Sequence, residues 1–327
     1  MKPETTRVIN FSSTSIVELN LEYVICAPER GFSFGNFNSL EYLDLHECQV
    51  STDFFSHLPY SLRNLSLCEV ILISSDDGVK LPIGLERLEY RSNTFRECTL
   101  PLISNFNDLT QLYEVAVEKV NLDPIPFVNL PEFITNLPTQ IKSLILHTEC
   151  SPKRSFEDTM ICRSAELLHS FTGLQYLDFE CDCQGSLDLC LLPPLMKLKL
   201  TVYGDDSLSG RFPSTLKFLD LQGEIQSFRD SWRQYVMPLK HLIGFRTGPA
   251  SSIDFRGLPF PKHLSYFQMT EPMSIVLDYI PDSITVFDVR GPGCKIQIDP
   301  SKGESVSSMK NRVLSSEYCK WSTISVQ

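Results

Sequence analysis

One short phrase returns along this chain: an apolar residue, proline, two spacers, then apolar residues at positions one, four and six. It reads Leu58-Pro59-Tyr60-Ser61-Leu62-Arg63-Asn64-Leu65-Ser66-Leu67. It returns at Leu81-Pro82 (Leu85, Leu88, Tyr90), Leu137-Pro138 (Ile141, Leu144, Leu146), Phe212-Pro213 (Leu216, Leu219, Leu221), Phe260-Pro261 (Leu264, Phe267, Met269) and Ile280-Pro281 (Ile284, Phe287, Val289). Such a repeat constrains architecture more than any local signal, because each unit is too small to bury its own apolar face and must stack on its neighbours. In L-x-L both leucines point to one side, the period of a strand. Proline just ahead of the strand removes no ladder donor.

Aligned on the first apolar residue of L-x-x-L-x-L, the lines start at Ile16, Leu40, Leu62, Leu85, Leu112, Ile141, Leu174, Leu195, Leu216, Leu239, Leu264 and Ile284. Their mean interval is about 24 residues, and the long gap from Ile141 to Leu174 is an insertion. The tenth line, set on Leu239 and Leu242, has Gly244 where its third apolar residue belongs.

This pattern resembles the leucine-rich-repeat superfamily over nearly the whole chain, in a degenerate LPxxLxxLxL style like that of some fungal and protist proteins and bacterial effectors. The resemblance implies an α/β solenoid: a curved horseshoe with a concave parallel β-sheet and a mostly irregular convex side. One departure stands out. The family places Asn or Cys eight residues after the first leucine, where it satisfies turn backbone, and here only Cys48 and Asn93 fit. Buried backbone still needs partners, so looser, less uniform turns are expected.

Three segments have helical spacing. Ser155 to His169 fills the long insertion and starts with a capping-box-like Ser155 and Asp158; Asp230 to Val236 reads as a short convex helix. Ser305 to Glu317 places Val306, Met309, Val313 and Leu314 on one stripe after the last repeat. The division expected is a solenoid of about twelve repeats over 1–303 and a C-terminal helical cap over 304–327, covering the open last core layer.

The net charge of −11 argues against a nucleic-acid footprint, which needs clustered Lys and Arg. No apolar run follows the N-terminus as a secretory signal would, and Leu187 to Leu200 is broken by Pro193, Pro194, Lys197 and Lys199. A cytoplasmic protein without membrane contact is therefore expected, its eleven cysteines being free thiols. Cys181-Asp182-Cys183 with Cys190 falls short of the paired spacing of a zinc site. His46 and His147 fall at outward strand positions and read as surface polar residues. No G-x-S-x-G elbow or phosphate loop occurs. No catalytic residue, metal or cofactor is expected.

What remains is surface. The residue between the second and third leucines forms a column that includes Asp44, Ser66, Glu89, Asp178, Lys199, Asp220, Gln268 and Asp288. The column two residues after the first leucine includes Tyr42, Arg87, Tyr176, Lys197, Phe218, His241 and Tyr266. Aromatics in a solvent-facing column fit protein recognition. The function expected is a non-enzymatic protein–protein recognition scaffold. Its candidate partner site is Tyr176, Asp178, Lys197, Lys199, Phe218 and Asp220, all expected to point to solvent. The alternative is a repeat fragment of a larger adaptor, such as the substrate-recognition arm of a ubiquitin ligase, a reading favoured by a start almost inside a repeat.

Overall fold

Ten of the twelve repeats enter their strands through the same turn, and the Leu195 line closes instead onto Pro193, two residues back, at 2.7 Å. The proline carbonyl accepts from the N–H of the first leucine three residues on: Leu62 to Pro59 at 3.1 Å, Leu85 to Pro82 at 3.0 Å, Ile141 to Pro138 at 3.3 Å, Leu216 to Pro213 at 3.2 Å, Leu264 to Pro261 at 3.1 Å and Ile284 to Pro281 at 3.0 Å. Where proline is missing, an apolar residue takes its place, with Leu40 bonded to Phe37, Leu112 to Leu109 and Leu174 to Phe171. The residue after the first leucine then offers its carbonyl to two N–H groups of the next repeat. Glu41, Arg63, Glu86 and Tyr113 do this in one half of the chain and Gln175, Met196, Lys217, Ile243 and Ser265 in the other. The turn therefore fixes both the entry angle and the register of the next strand.

The computed structural model describes residues 15–26, 34, 37–73, 78–91, 103–121, 130–149, 166–181, 187–202, 208–223, 228–248, 252–270, 272, 274–290, 295–298 and 323–326. The chain divides into two compact units, Met1–Leu174 and Gln175–Gln327.

Unit 1 runs β1 (Glu18–Glu22), β2 (Ile25–Cys26), β3 (Tyr42–His46), β4 (Gln49–Ser51), α1 (Thr52–Ser56), β5 (Asn64–Cys68), β6 (Ile71–Ile73), β7 (Arg87–Arg91), β8 (Glu114–Asn121), α2 (Leu130–Asn136) and β9 (Ser143–Glu149). Strands β1, β3, β5, β7, β8 and β9 lie side by side in that order, and β2, β4 and β6 form a second sheet. These strands pair in parallel, with Leu43 beside Leu19 and Leu65, and Leu45 beside Leu21 and Leu67. These inward residues are fully or nearly fully buried. The turn after each of the first three main strands carries a left-handed non-glycine residue: Tyr23 (φ 57°), Glu47 (φ 50°) and Glu69 (φ 54°). That backbone costs about 1–2 kcal/mol. It is held because each N–H reaches the end of the next main strand, at His46, Cys68 and Arg91, at 3.0, 2.9 and 2.8 Å.

Unit 2 runs β10 (Tyr176–Cys181), β11 (Leu187–Asp188), β12 (Lys197–Val202), β13 (Leu208–Ser209), β14 (Phe218–Gly223), α3 (Phe228–Ser231), a π turn (Trp232–Val236), β15 (Gly244–Thr247), β16 (Ser252–Asp254), β17 (Tyr266–Thr270), β18 (Ser274–Leu277), β19 (Val286–Arg290), β20 (Lys295–Ile298) and β21 (Thr323–Val326). The main strands are β10, β12, β14, β15, β17 and β19; the returns pair as β11 with β13 and as β16-β18-β20-β21. Trp232 anchors the core. Its ring meets Phe245, Phe255 and Phe260 edge-on at 5.3, 5.3 and 5.2 Å and stacks on Phe228 at 5.7 Å. Its indole N–H donates to the Pro259 carbonyl at 2.9 Å, so burying the ring strands no donor.

All twelve repeat lines become main strands, six in each unit, and within each unit they stack in the parallel solenoid arrangement expected from the repeat. Three details differ. The tenth line is shifted: Leu242 donates to the Leu239 carbonyl at 3.2 Å, so Leu239 holds the proline position and Leu242 is the first leucine. The line reads Leu242, Phe245, Thr247, and Gly244 rather than His241 faces outward beside Phe218. The turns after the first three main strands are uniform, not loose as the near-absence of the Asn or Cys ladder predicted, because inter-repeat backbone bonds hold them. Cys48 does fill the ladder role, its thiol donating to the Leu21 and His46 carbonyls at 3.4 Å; Asn93 lies outside the described residues. The returns also hold short parallel strands. Of the helix expected over Ser155–His169, 166–168 is helical and 155–165 lies outside the described residues, as does Ser305–Glu317. The described part of 304–327 is strand β21, parallel to β20 in the register Ile296–Ile324.

Candidate functional site

The outward face of the unit 2 main sheet carries the expected columns. Parallel pairing sets Tyr176 beside Lys197 and Lys197 beside Phe218, with Asp178 beside Lys199 and Lys199 beside Asp220. All six candidate residues therefore stand together on β10, β12 and β14. The rows continue through Gly244, Tyr266 and Val286 and through Arg246, Gln268 and Asp288. They face outward because the alternate residues, Leu177, Leu198, Leu219, Phe245, Phe267 and Phe287, fill the core.

The two rows differ in exposure. Asp178, Gln268 and Asp288 are buried at 4%, 4% and 3% exposure although they lie on the outward face. Their neighbours cover them and pair with them. Lys199 Nζ lies 3.0 Å from Asp178 Oδ2, and the Tyr176 hydroxyl donates to the same oxygen at 3.3 Å. Arg246 Nη1 is 3.5 Å from Asp220 Oδ2, while the Gln222 amide donates to Asp220 Oδ1. Gln268 donates to Asp288 at 2.8 Å and accepts from the Tyr266 hydroxyl at 2.9 Å. Burial raises the Asp220 carboxyl above the ordinary aspartate range, against the opposing pull of Gln222, Arg246 and Lys199. The expectation that all six residues point to solvent holds for Lys197 and Phe218, fails for the buried Asp178, and is met only in part by Tyr176, Lys199 and Asp220, which are half-buried against their partners.

The outer row is the accessible one. Lys197 Nζ stands 4.5 Å above the Tyr176 ring, a cation–π contact. Phe218 is 45% exposed. Its ring lies over Gly244, where a Cβ would come within 2.6 Å of Phe218 Cδ1. Only glycine gives the ring that seat. Arg246 is the addition that the misaligned tenth line concealed. The signal was present, since Leu239-Lys240-His241-Leu242 duplicates Pro261-Lys262-His263-Leu264.

Unit 1 presents a different face. Arg87 pairs with Glu114 at 2.8 Å, and Arg91 pairs with both Glu89 and Glu118. Burial raises the Glu89 carboxyl, Arg91 opposing it. His46 packs edge-on to Tyr23 at 6.3 Å and sits beside Cys68 in register. Burial pushes the Cys68 thiol up to about 11, opposite to what a cysteine nucleophile needs. The side chains of Cys181 and Cys183 lie outside the described residues, and Cys190 is an exposed free thiol. Among the described residues no group of His, Cys, Asp and Glu has metal-site geometry, and no helix is long and apolar enough to cross a membrane.

No family model matches the chain, and no curated protein matches it. Among solved structures it is similar to an internalin from Listeria monocytogenes, at 12% identity and a TM-score of 0.43, over 95% of this chain and 83% of that one.

Proposed function

We propose that this chain is a cytoplasmic, non-enzymatic recognition scaffold of the degenerate LPxxLxxLxL leucine-rich-repeat type, binding a protein partner on the outward face of β10, β12 and β14. One observation carries the reading: the exposed Lys197 and Phe218 and the half-buried Tyr176 form a row beside a cross-paired row in which Asp178 is buried and Lys199 and Asp220 are half-buried. Rigid aromatic and cationic groups held by a second layer are what a protein hot spot requires. The outer row supplies apolar area and charge; the inner row positions it. Residues 1–303 form the repeat domain and 304–327 its cap. The reading includes no cofactor, nucleic-acid or membrane ligand.

Replacing Tyr176 and Phe218 by Ala and Lys197 by Glu tests it. The expected result is loss of captured protein partners with the melting temperature nearly unchanged, because these side chains lie outside the core. Full partner recovery by a folded triple variant would refute the site.

A further inference from the structure

A second surface lies at the strand-entry edge of unit 2. The turns Leu239-Lys240-His241-Leu242 and Pro261-Lys262-His263-Leu264 close through the same bond, at 3.2 and 3.1 Å. The pairing of Gly244 with Tyr266 sets Lys240 beside Lys262 and His241 beside His263, about one strand spacing apart, ~4.8 Å. The pairing of Phe218 with Gly244 sets Lys217 beside Ile243. All six side chains are exposed. Among the described residues no carboxylate forms a salt bridge with Lys217, Lys240 or Lys262. The edge ends at Asp282, which holds the equivalent position in the following repeat.

We propose that this edge docks a short acidic polypeptide segment carrying an apolar side chain. Stacking adjacent repeats places like charges side by side, which is unfavourable until an anion lies across them. The paired lysines and the imidazole donors fit successive carboxylates, and Ile243, 36% exposed, offers apolar contact beside them. The charge of the chain decides between polyanions. At −11 overall, the molecule repels an extended nucleic acid or anionic membrane, which senses its whole field. A short segment within a Debye length of about 8 Å senses only the local cations. The edge adjoins the patch on β10, β12 and β14 at Phe218, but Lys240 and Lys262 lie outside that patch, so reversals there test this surface and leave the patch residues unchanged.

The test is anisotropy with a short fluorescein-labelled peptide rich in Glu and Asp and containing one Leu, added to the full chain. Wild type is expected to bind it, less tightly as salt rises. Lys240→Glu with Lys262→Glu is expected to weaken binding by about tenfold or more. Lys80→Glu with Lys142→Glu, the same charge change on exposed unit 1 lysines, is expected to leave it within about twofold. Gln in place of Glu at 240 and 262 should give an intermediate loss and guards against misfolding of the reversal. Equal weakening by both reversals would reduce the effect to net charge and overturn the site. So would failure of the wild type to bind the peptide, binding of phosphatidylserine vesicles or RNA instead, or a self-association that the 240/262 reversal abolishes.

Discussion

Lys197 and Lys199 are two residues apart on one strand and face the same way, yet they differ in kind. Lys199 neutralises Asp178, whose side chain is 6% exposed; Lys197 lies exposed over a tyrosine ring. Lys199→Ala leaves a buried carboxylate without its cation and is expected to cost about 2 kcal/mol, discounted from fully buried pairs because the lysine is itself partly solvated. Phe218→Ala, outside the core, is expected to cost less than about 1 kcal/mol. Denaturant melts of the two variants check the ordering. Asp220 adds a pH dependence. Its carboxyl is raised by burial, so the native state binds that proton more tightly than the unfolded chain. Stability therefore falls as pH rises from the ordinary aspartate value to the raised one, then stays lower. The stability of Asp220→Asn relative to wild type should shift upward across that window and be constant on either side. A pH-independent difference would contradict the assignment. The outward column was legible from period-two alternation, but the burial of its carboxylates was not. Burial depends on which side chains from adjacent repeats lean over them, and spacing carries no such information.

At the scale of elements, the proline turn and the aromatic core explain where sequence reading succeeds and where it slips. Six prolines mark the strand entries directly, and four other turns use Phe or Leu in the same place, which is why Leu239 passed for a first leucine. Thr247, buried at 1%, hid the third apolar position of that line. The returns were least legible because strands of two to four residues carry too few alternations to register as a pattern. Gly244→Val tests the corrected line. A side chain there invades the seat of the Phe218 ring, so the ring must swing away and partner capture should fall while the fold persists. Were His241 in that column instead, the substitution would leave Phe218 untouched. Trp232→Ala should cost about 3–5 kcal/mol, because it empties the centre of an aromatic cluster that cannot collapse to fill it. Calorimetry distinguishes this from a surface effect, which would be several-fold smaller.

For the molecule as a whole, the sensitive places in a repeat stack are its ends, where a core layer and a ladder edge lack the neighbour that every internal repeat has. The last described return strand but one, β20, has Ile296 fully buried and pairs along its length with β21. Removing 304–327 takes β21 away and leaves the backbone groups of β20 as an open edge, the arrangement that recruits other chains. Deleting 155–165 removes insertion sequence and leaves the buried Leu168 in place. Longer or shorter surface connections change closure entropy only slowly. The C-terminal deletion is therefore expected to lower the melting temperature and promote aggregation, and the internal deletion to do much less of either. Scanning calorimetry and light scattering on both deletions decide it. An unchanged melt and clear solution for the chain lacking 304–327 would mean that β21 decorates the stack without closing it, and that the terminal layer around Phe287 and Val289 is covered by its own repeat.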